Sequence, residues 1–185
     1  MRTRILALAS VALVAIPMIA QAQYNERYAG PEIGIFIPSD PDLRNALGGT
    51  WYSFGVSTMR QGNVVKRNLG TNFNVISQSK NGNKVFLGSY TLGLVMPLGS
   101  TGMGNLNTDF QPYVALRGGL NYTDYAITQG TRLSAKRLGY NINAELGIQV
   151  GDRFTVSARY DLSPGYDGFD FNGLSFSLKY GLVKF

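Results

Sequence analysis

The chain has 185 residues, of which 44% are hydrophobic, 12% aromatic and only 15% charged, with a formal net charge of +6. It has no Cys and no His, which excludes disulfides, thiolate or imidazole metal sites, Cys nucleophiles and His-dependent triads and dyads. The 23 Gly, 11 Tyr and 10 Phe suit strands, tight turns and aromatic anchoring rather than helices.

The N-terminus reads as an export signal. Arg2 and Arg4 precede an uncharged apolar run from Ile5 to Ala20, and Ala20-Gln21-Ala22 fits the small-x-small cleavage rule, so residues 1–22 are expected to be removed. The run is shorter than the roughly 20 residues that cross a bilayer as a helix, and Pro17 interrupts it. Losing the two arginines leaves a mature chain, 23–185, with a net charge of +4. That charge is too mild and too scattered to argue for nucleic acid.

From there the sequence alternates. Ile33, Ile35 and Ile37 oppose Glu32, Gly34 and Phe36. Ser39-Asp40-Pro41 offers a cap and a proline for a first turn, and Gly48-Gly49 a stop, so the stretch between them reads as a short helix, with Leu43, Ala46 and Leu47 on one side, or else as an irregular loop. It would close one end of a barrel. Over Thr50 to Thr58, Tyr52, Phe54 and Val56 oppose Trp51, Ser53, Gly55 and Ser57. Asn63 to Gln78 reads as the next strand, with Gly70 as a bulge. Asn81-Gly82 is a hairpin turn into a long strand from Lys84 to Met96. In Phe110 to Tyr125, Pro112, Val114, Leu116, Gly118, Leu120 and Tyr122 share one face, and Tyr113, Ala115, Arg117, Gly119 and Asn121 the other.

The last three strands alternate without fault. Tyr140, Ile142, Ala144, Leu146, Ile148 and Val150 oppose Asn141, Asn143, Glu145, Gly147 and Gln149; a Gly151-Asp152 turn follows. Phe154, Val156, Ala158 and Tyr160 oppose Thr155, Ser157, Arg159 and Asp161, and Leu174, Phe176, Leu178 and Tyr180 oppose Gly173, Ser175, Ser177, Lys179 and Gly181. Side chains alternate across a strand, so one face is apolar and the other polar or glycine. Eight strands joined in sequence, with no crossover helix, predict an all-β, antiparallel, up-and-down barrel.

The composition of the polar face indicates which side is out. It is mostly Gly, Ser, Thr and Asn rather than the Lys and Glu of a water-exposed surface, and small polar residues fit the cramped lumen of eight strands. Its charges have mixed signs: Glu32, Arg117, Glu145, Arg159, Asp161 and Lys179 are expected to pair inside, since an uncompensated buried charge costs several kcal/mol or so. A structural plug, a narrow ion path and a catalytic pair are the three readings of this set. On the apolar face Tyr122, Tyr140, Phe154, Tyr160, Phe176 and Tyr180 form an aromatic girdle at the height of a membrane interface. Arg132, Lys136 and Arg137 form a basic cluster at one loop, suited to anionic phosphates or to solvent alone. Tyr166, Asp167 and Asp170 crowd carboxylates without matching a metal motif.

These features resemble the small eight-stranded outer-membrane β-barrels of the OmpA-transmembrane-domain and OmpX type. The resemblance covers Tyr28 to Phe185 and rests on the strand count, the stretches PYVALRGGLNYTDY and GYNINAELGIQV, and the final Phe185. It implies a monomeric, non-enzymatic, cofactor-free protein of the bacterial outer membrane, with lipid and lipopolysaccharide as surroundings. Both termini would face the periplasm. Loops near 39–49, 79–83, 126–136 and 162–171 would face outward, and turns near 59–63, 98–108 and 151–152 inward. In that family a terminal Phe is read by the barrel-assembly machinery. Phe185 here has the parity of Lys179 rather than Tyr180, so the last strand either bulges after Gly181 or frays. The rival reading is a soluble exported carrier: Gly49-Thr50-Trp51 and Thr123-Asp124-Tyr125 match short lipocalin motifs, with Trp51 and Tyr125 lining an apolar calyx.

Overall fold

The computed structural model describes residues 27–60, 68–98, 110–151 and 153–184. The export signal, the turn over 98–108 beyond its first residue, and Phe185 lie outside the described residues. Strands β1 (Arg27–Pro38), β2 (Trp51–Arg60), β3 (Asn68–Lys80), β4 (Asn83–Pro97), β5 (Phe110–Gln129), β6 (Thr131–Val150), β7 (Phe154–Leu162) and β8 (Gly173–Tyr180) pair in sequence, all antiparallel. The first strand pairs with both β2 and β8, which closes the barrel. Closure leaves no sheet edge round the girth, which is how a membrane-crossing sheet pairs its backbone polar groups.

Alternation sets the two faces as the sequence predicts. Leu116, Leu120, Leu146, Ile148, Val156 and Phe176 are exposed on the outside, whereas Arg117, Asn121, Glu145, Gln149, Ser157 and Ser177 are buried inside. The rival carrier would bury the first set around a ligand. Here Leu146 is 57% exposed and Leu138 72%, so the apolar surface faces outward all round, and the calyx reading fails.

The last strand contains the bulge rather than the frayed end. In β8 the pairs with β1 run from Pro38↔Gly173 to Glu32↔Lys179. A two-residue strand β9 (Val183–Lys184) then pairs Ala29↔Val183 and Tyr28↔Lys184, one residue out of step with β8. Gly181 and Leu182 absorb the extra residue: Gly181 N–H donates to the Arg153 carbonyl at 2.8 Å and Leu182 N–H to that of Ala29 at 3.0 Å. Gly30 permits this close approach, because a Cβ there would collide with the Tyr180 carbonyl.

Two expectations about local structure need correction. Gly70 is no bulge: the β3–β4 register is unbroken from Asn68↔Val95 to Lys80↔Asn83. Its missing side chain serves packing, since a Cβ would lie 2.6 Å from Val95 Cγ2 and 3.7 Å from Arg117 Nε. The segment 126–136 is no loop either. Strands β5 and β6 continue through it and meet at Gly130, φ 74°, with Gln129 paired to Thr131. Beyond Ala126 and Ile142 this hairpin outruns its neighbours β4 and β7. On the β5 side the Asn83 carboxamide oxygen caps the Thr128 N–H at 2.9 Å.

The helix α1 (Pro41–Leu47) forms as predicted. Asp40 is its N-cap, Oδ1 accepting from Asp42 N at 2.7 Å and Leu43 N at 3.1 Å, and Pro41 takes a first-turn position where no N–H is needed. Asn81 and Gly82, both at positive φ (53° and 79°), make the tight β3–β4 turn. The helix, this turn, the β5–β6 tip and residues 163–172 share one end of the barrel, the helix end. The β6–β7 turn and β9 mark the opposite, terminus end.

Candidate functional site: two layers that fill the barrel

The lumen is filled by two stacked layers of different chemistry. The lower layer gathers the six charged residues singled out in the sequence. Glu145 sits on β6 and receives Lys179 Nζ at 2.6 Å on Oε1, Arg117 Nη1 at 3.0 Å on Oε2, and the hydroxyl of Tyr113. Glu32 on β1 receives Arg159 Nη1 at 3.0 Å on Oε1 and the Asn72 amide at 2.6 Å on Oε2, with Lys179 3.7 Å from Oε2. Arg159 Nε donates to Asp161 Oδ2 at 3.0 Å, which also accepts from Ser175 Oγ at 3.2 Å. All six side chains are 6% exposed or less. Three carboxylates face three cations, so the cluster is neutral as a whole, and each carboxylate meets at least one cation at hydrogen-bond range. That is the arrangement in which buried charges are tolerated.

Lys179 joins the two carboxylate centres, and Arg159 with Asn72 ties β7 to β3 across the lumen, Nη1 to Oδ1 at 3.1 Å. The ladder is continued by Asn141, whose amide donates to Asp161 Oδ1 and Ser163 Oγ, and by Asn143, whose amide donates to Thr91 Oγ1 and Asn141 Oδ1. Tyr113 and Asn72 are functional partners the sequence reading passed over. Tyr113 has the inward parity, and its register partner is Gly147, where a Cβ would press on the ring at 2.5–2.6 Å. A large inward aromatic opposite a glycine is the available signal.

The upper layer, at the helix end, is apolar. Phe36, Leu43, Leu47, Trp51, Ile76, Val85, Leu87, Tyr125, Ile127, Phe169 and Phe171 form one buried cluster. Trp51 is wholly buried, its indole N–H donating to the Gly48 carbonyl at 2.8 Å. Rings of Phe36 and Trp51 lie 5.5 Å apart, and those of Tyr125 and Phe171 5.4 Å. Trp51 and Tyr125 thus point inward as the carrier reading supposed, but they pack against α1 and the 163–172 segment and leave no calyx. Asp40 fastens the two caps together: Oδ2 accepts from Asp170 N at 2.7 Å while Oδ1 caps α1. Asp170 in turn holds Asn172, and Asp167 accepts from the Tyr125 hydroxyl. These two carboxylates are therefore used within the cap, and among the described residues no group of acids is placed to hold a metal. Between the layers lies a void of about 10 Å³ bounded by Asn74, Asn121, Asn141 and Asp161 on one side and Phe36 and Phe171 on the other, room for about one water.

Outside, Tyr122, Tyr140, Phe154, Tyr160 and Phe176 are exposed and Tyr180 is half-buried. Phe86 packs edge-on to Tyr122 at 6.3 Å, and Phe154 lies 4.8 Å from Tyr180. Arg132, Lys136 and Arg137 are exposed on the projecting part of β6. Strand parity separates them: Arg132 and Lys136 share the outward face with Leu138 and Tyr140, and Arg137 lies on the opposite face. Lys136 Nζ is 3.7 Å from Asp124 Oδ2.

No family model and no curated protein matches this sequence. Solved structures do resemble it. The attachment invasion locus protein Ail of Yersinia pestis aligns with a TM-score of 0.55 at 14% identity, over 88% of this chain and 100% of that one. Neisserial surface protein A aligns with a TM-score of 0.53 at 11% identity, over 85% and 97%. With the closed antiparallel barrel, the outward apolar belt and the filled lumen, this chain has the fold of the small eight-stranded outer-membrane β-barrels.

Proposed function

We propose that this protein is a non-enzymatic, monomeric component of a bacterial outer membrane that spans the bilayer as a sealed barrel and presents a rigid cap to the outside. The observation that carries the reading is the double seal, a neutral ion-pair layer beneath an apolar plug. Its ionisable groups are buried among each other, where neither a lipid substrate nor a stream of ions reaches them. The other reading of these lumen charges, a narrow ion path, needs both layers to open at once.

In this account residues 1–22 direct export and are cleaved, both termini lie in the periplasm, and the helix end faces outward. Phe185 serves the barrel-assembly machinery. Arg132 and Lys136, above Leu138 and Tyr140, meet lipopolysaccharide phosphates, with Arg137 beside the cap. Charge-assisted contacts of this kind are the stronger class of hydrogen bond.

The test is a membrane fractionation followed by gels run with and without boiling, then conductance across a planar bilayer. A heat-dependent mobility shift in the outer-membrane fraction, with no discrete conductance steps, is expected. A protein that folds without detergent in the periplasm would reject the membrane reading. Steady conductance would reject the seal. Unchanged lipopolysaccharide binding by Lys136→Glu/Arg132→Glu would reject the contact assigned to them.

A further inference from the structure

One exposed cation is held unlike the others. Arg153 follows the β6–β7 turn at the terminus end and is exposed, yet its guanidinium sits 5.6 Å from the centre of the Tyr28 ring. The hydroxyls of Tyr28 and Tyr180 neighbour it. The Tyr180 ring leans on Phe154 at 4.8 Å, and the Arg153 carbonyl is pinned by Gly181 N–H at 2.8 Å. The bulge between β8 and β9 thus carries Tyr180 to one side of the guanidinium and Tyr28 beneath it. Among the described residues this is the one cation placed over a ring.

The arrangement has a chemical sense. A guanidinium presents its five N–H donors in one planar fork, here set over the Tyr28 ring. Tyr28 is buried and acts as a shelf, while the half-buried Tyr180 hydroxyl has a proton to donate. The rim therefore offers donors in a preset fork, the geometry that suits the oxygens of a phosphate. Directly beside it Phe154, Leu182 and Val183 are exposed apolar surface. Lys184, opposite Tyr28 in the β1–β9 register, adds positive charge to this side. A ligand that joins a phosphodiester to apolar chains meets both parts at once.

We propose that Arg153, with the hydroxyl of Tyr180 and the ring of Tyr28, forms a binding site for the phosphodiester headgroup of a phospholipid in the leaflet surrounding the terminus end. The proposal rests on the reading above that this end faces the periplasm, where the outer membrane's leaflet is phospholipid. The site fixes the depth of the barrel in that leaflet through one bound lipid rather than through general stickiness.

The experiment is native mass spectrometry of the full chain released from detergent micelles doped with phosphatidylglycerol. Parallel samples contain diacylglycerol of the same chains, or phosphatidylglycerol with inorganic phosphate at the same concentration. The wild type is expected to retain one phosphatidylglycerol and no diacylglycerol. Arg153→Gln should lower retention about tenfold, as loss of a charge-assisted fork implies. Arg153→Lys and Tyr180→Phe should fall between, because a point charge and a bare ring each keep part of the site. Equal retention by wild type and Arg153→Gln overturns the proposal, as does equal retention of diacylglycerol. Full displacement by inorganic phosphate would show a site for free anions and overturn the lipid assignment. Every variant is first run on unboiled gels. A wild type without the mobility shift would defeat the barrel reading itself, whereas a normal shift without lipid retention defeats this inference alone.

Discussion

Replacing Glu145 by Gln removes one negative charge from the lumen while keeping its shape. In the native layer its two oxygens answer Lys179 at 2.6 Å, Arg117 at 3.0 Å and the Tyr113 hydroxyl. The variant leaves three buried cations facing two carboxylates, and the amide can still accept from one donor. Removing one member of a buried pair costs about 3–5 kcal/mol, and the retained amide oxygen places this change near about 3 kcal/mol. The assay is a urea titration of the barrel folded into lipid vesicles, read by the fraction that migrates as the unboiled compact band. Adding Lys179→Met restores neutrality and is expected to recover at least about 1 kcal/mol of the loss, a coupling expected of residues in one network. A loss under about 1 kcal/mol for Glu145→Gln, the scale of a solvent-screened pair, would refute the ion-pair layer as a structural element.

Other outcomes follow from the same geometry. Trp51→Ala should cost about 3–5 kcal/mol within the cap and open residues 41–50 and 163–172 to a protease added from the helix end, while the mobility shift persists. Asp40→Ala, which loses the α1 cap and the bond to Asp170 N, should cost about 1–2 kcal/mol and speed hydrogen exchange at Asp42, Leu43 and Asp170; unchanged exchange there would show that the two segments are not fastened through it. Gly30→Ala should clash with the Tyr180 carbonyl and reduce the compact-band fraction after refolding, and a barrel that refolds to the wild-type level would mean the β8–β9 bulge has room to spare.

The outward belt was legible because lipid and lumen differ in polarity and strands alternate strictly, so Tyr140 to Val150 could be assigned a face residue by residue. The six lumen charges were legible for the same reason. Their pairing was not: Glu32 meets Arg159 across a separation of 127 residues, which follows from the accumulated stagger of eight strands rather than from local spacing. Asn72 escaped because β3 alternates poorly, with Thr71 buried on the outward parity beside Asn72 on the inward one. The upper layer was hidden by its composition. Trp51, Val85, Leu87, Tyr125 and Ile127 lie on the inward parity near strand ends, where they blur the alternation instead of extending it. They make sense only once α1 and the 163–172 segment fold in against them. The continuation of the β5–β6 hairpin through 126–136 was not legible because its tip, Gln129-Gly130-Thr131, carries one glycine, and its basic residues read as a loop rather than as strand continuing past its neighbours.

The central claim is that the apolar face meets lipid and the polar face is sealed within. The chain has a single Trp, Trp51, and it is wholly buried inside the cap, so fluorescence quenching by brominated lipid reads the two faces directly. In vesicles whose acyl chains carry bromine at mid-depth, Trp51 should be unquenched, and a second Trp introduced as Leu146→Trp on the outer belt should be strongly quenched. Quenching of Trp51 with none at position 146 would turn the barrel inside out and contradict the account.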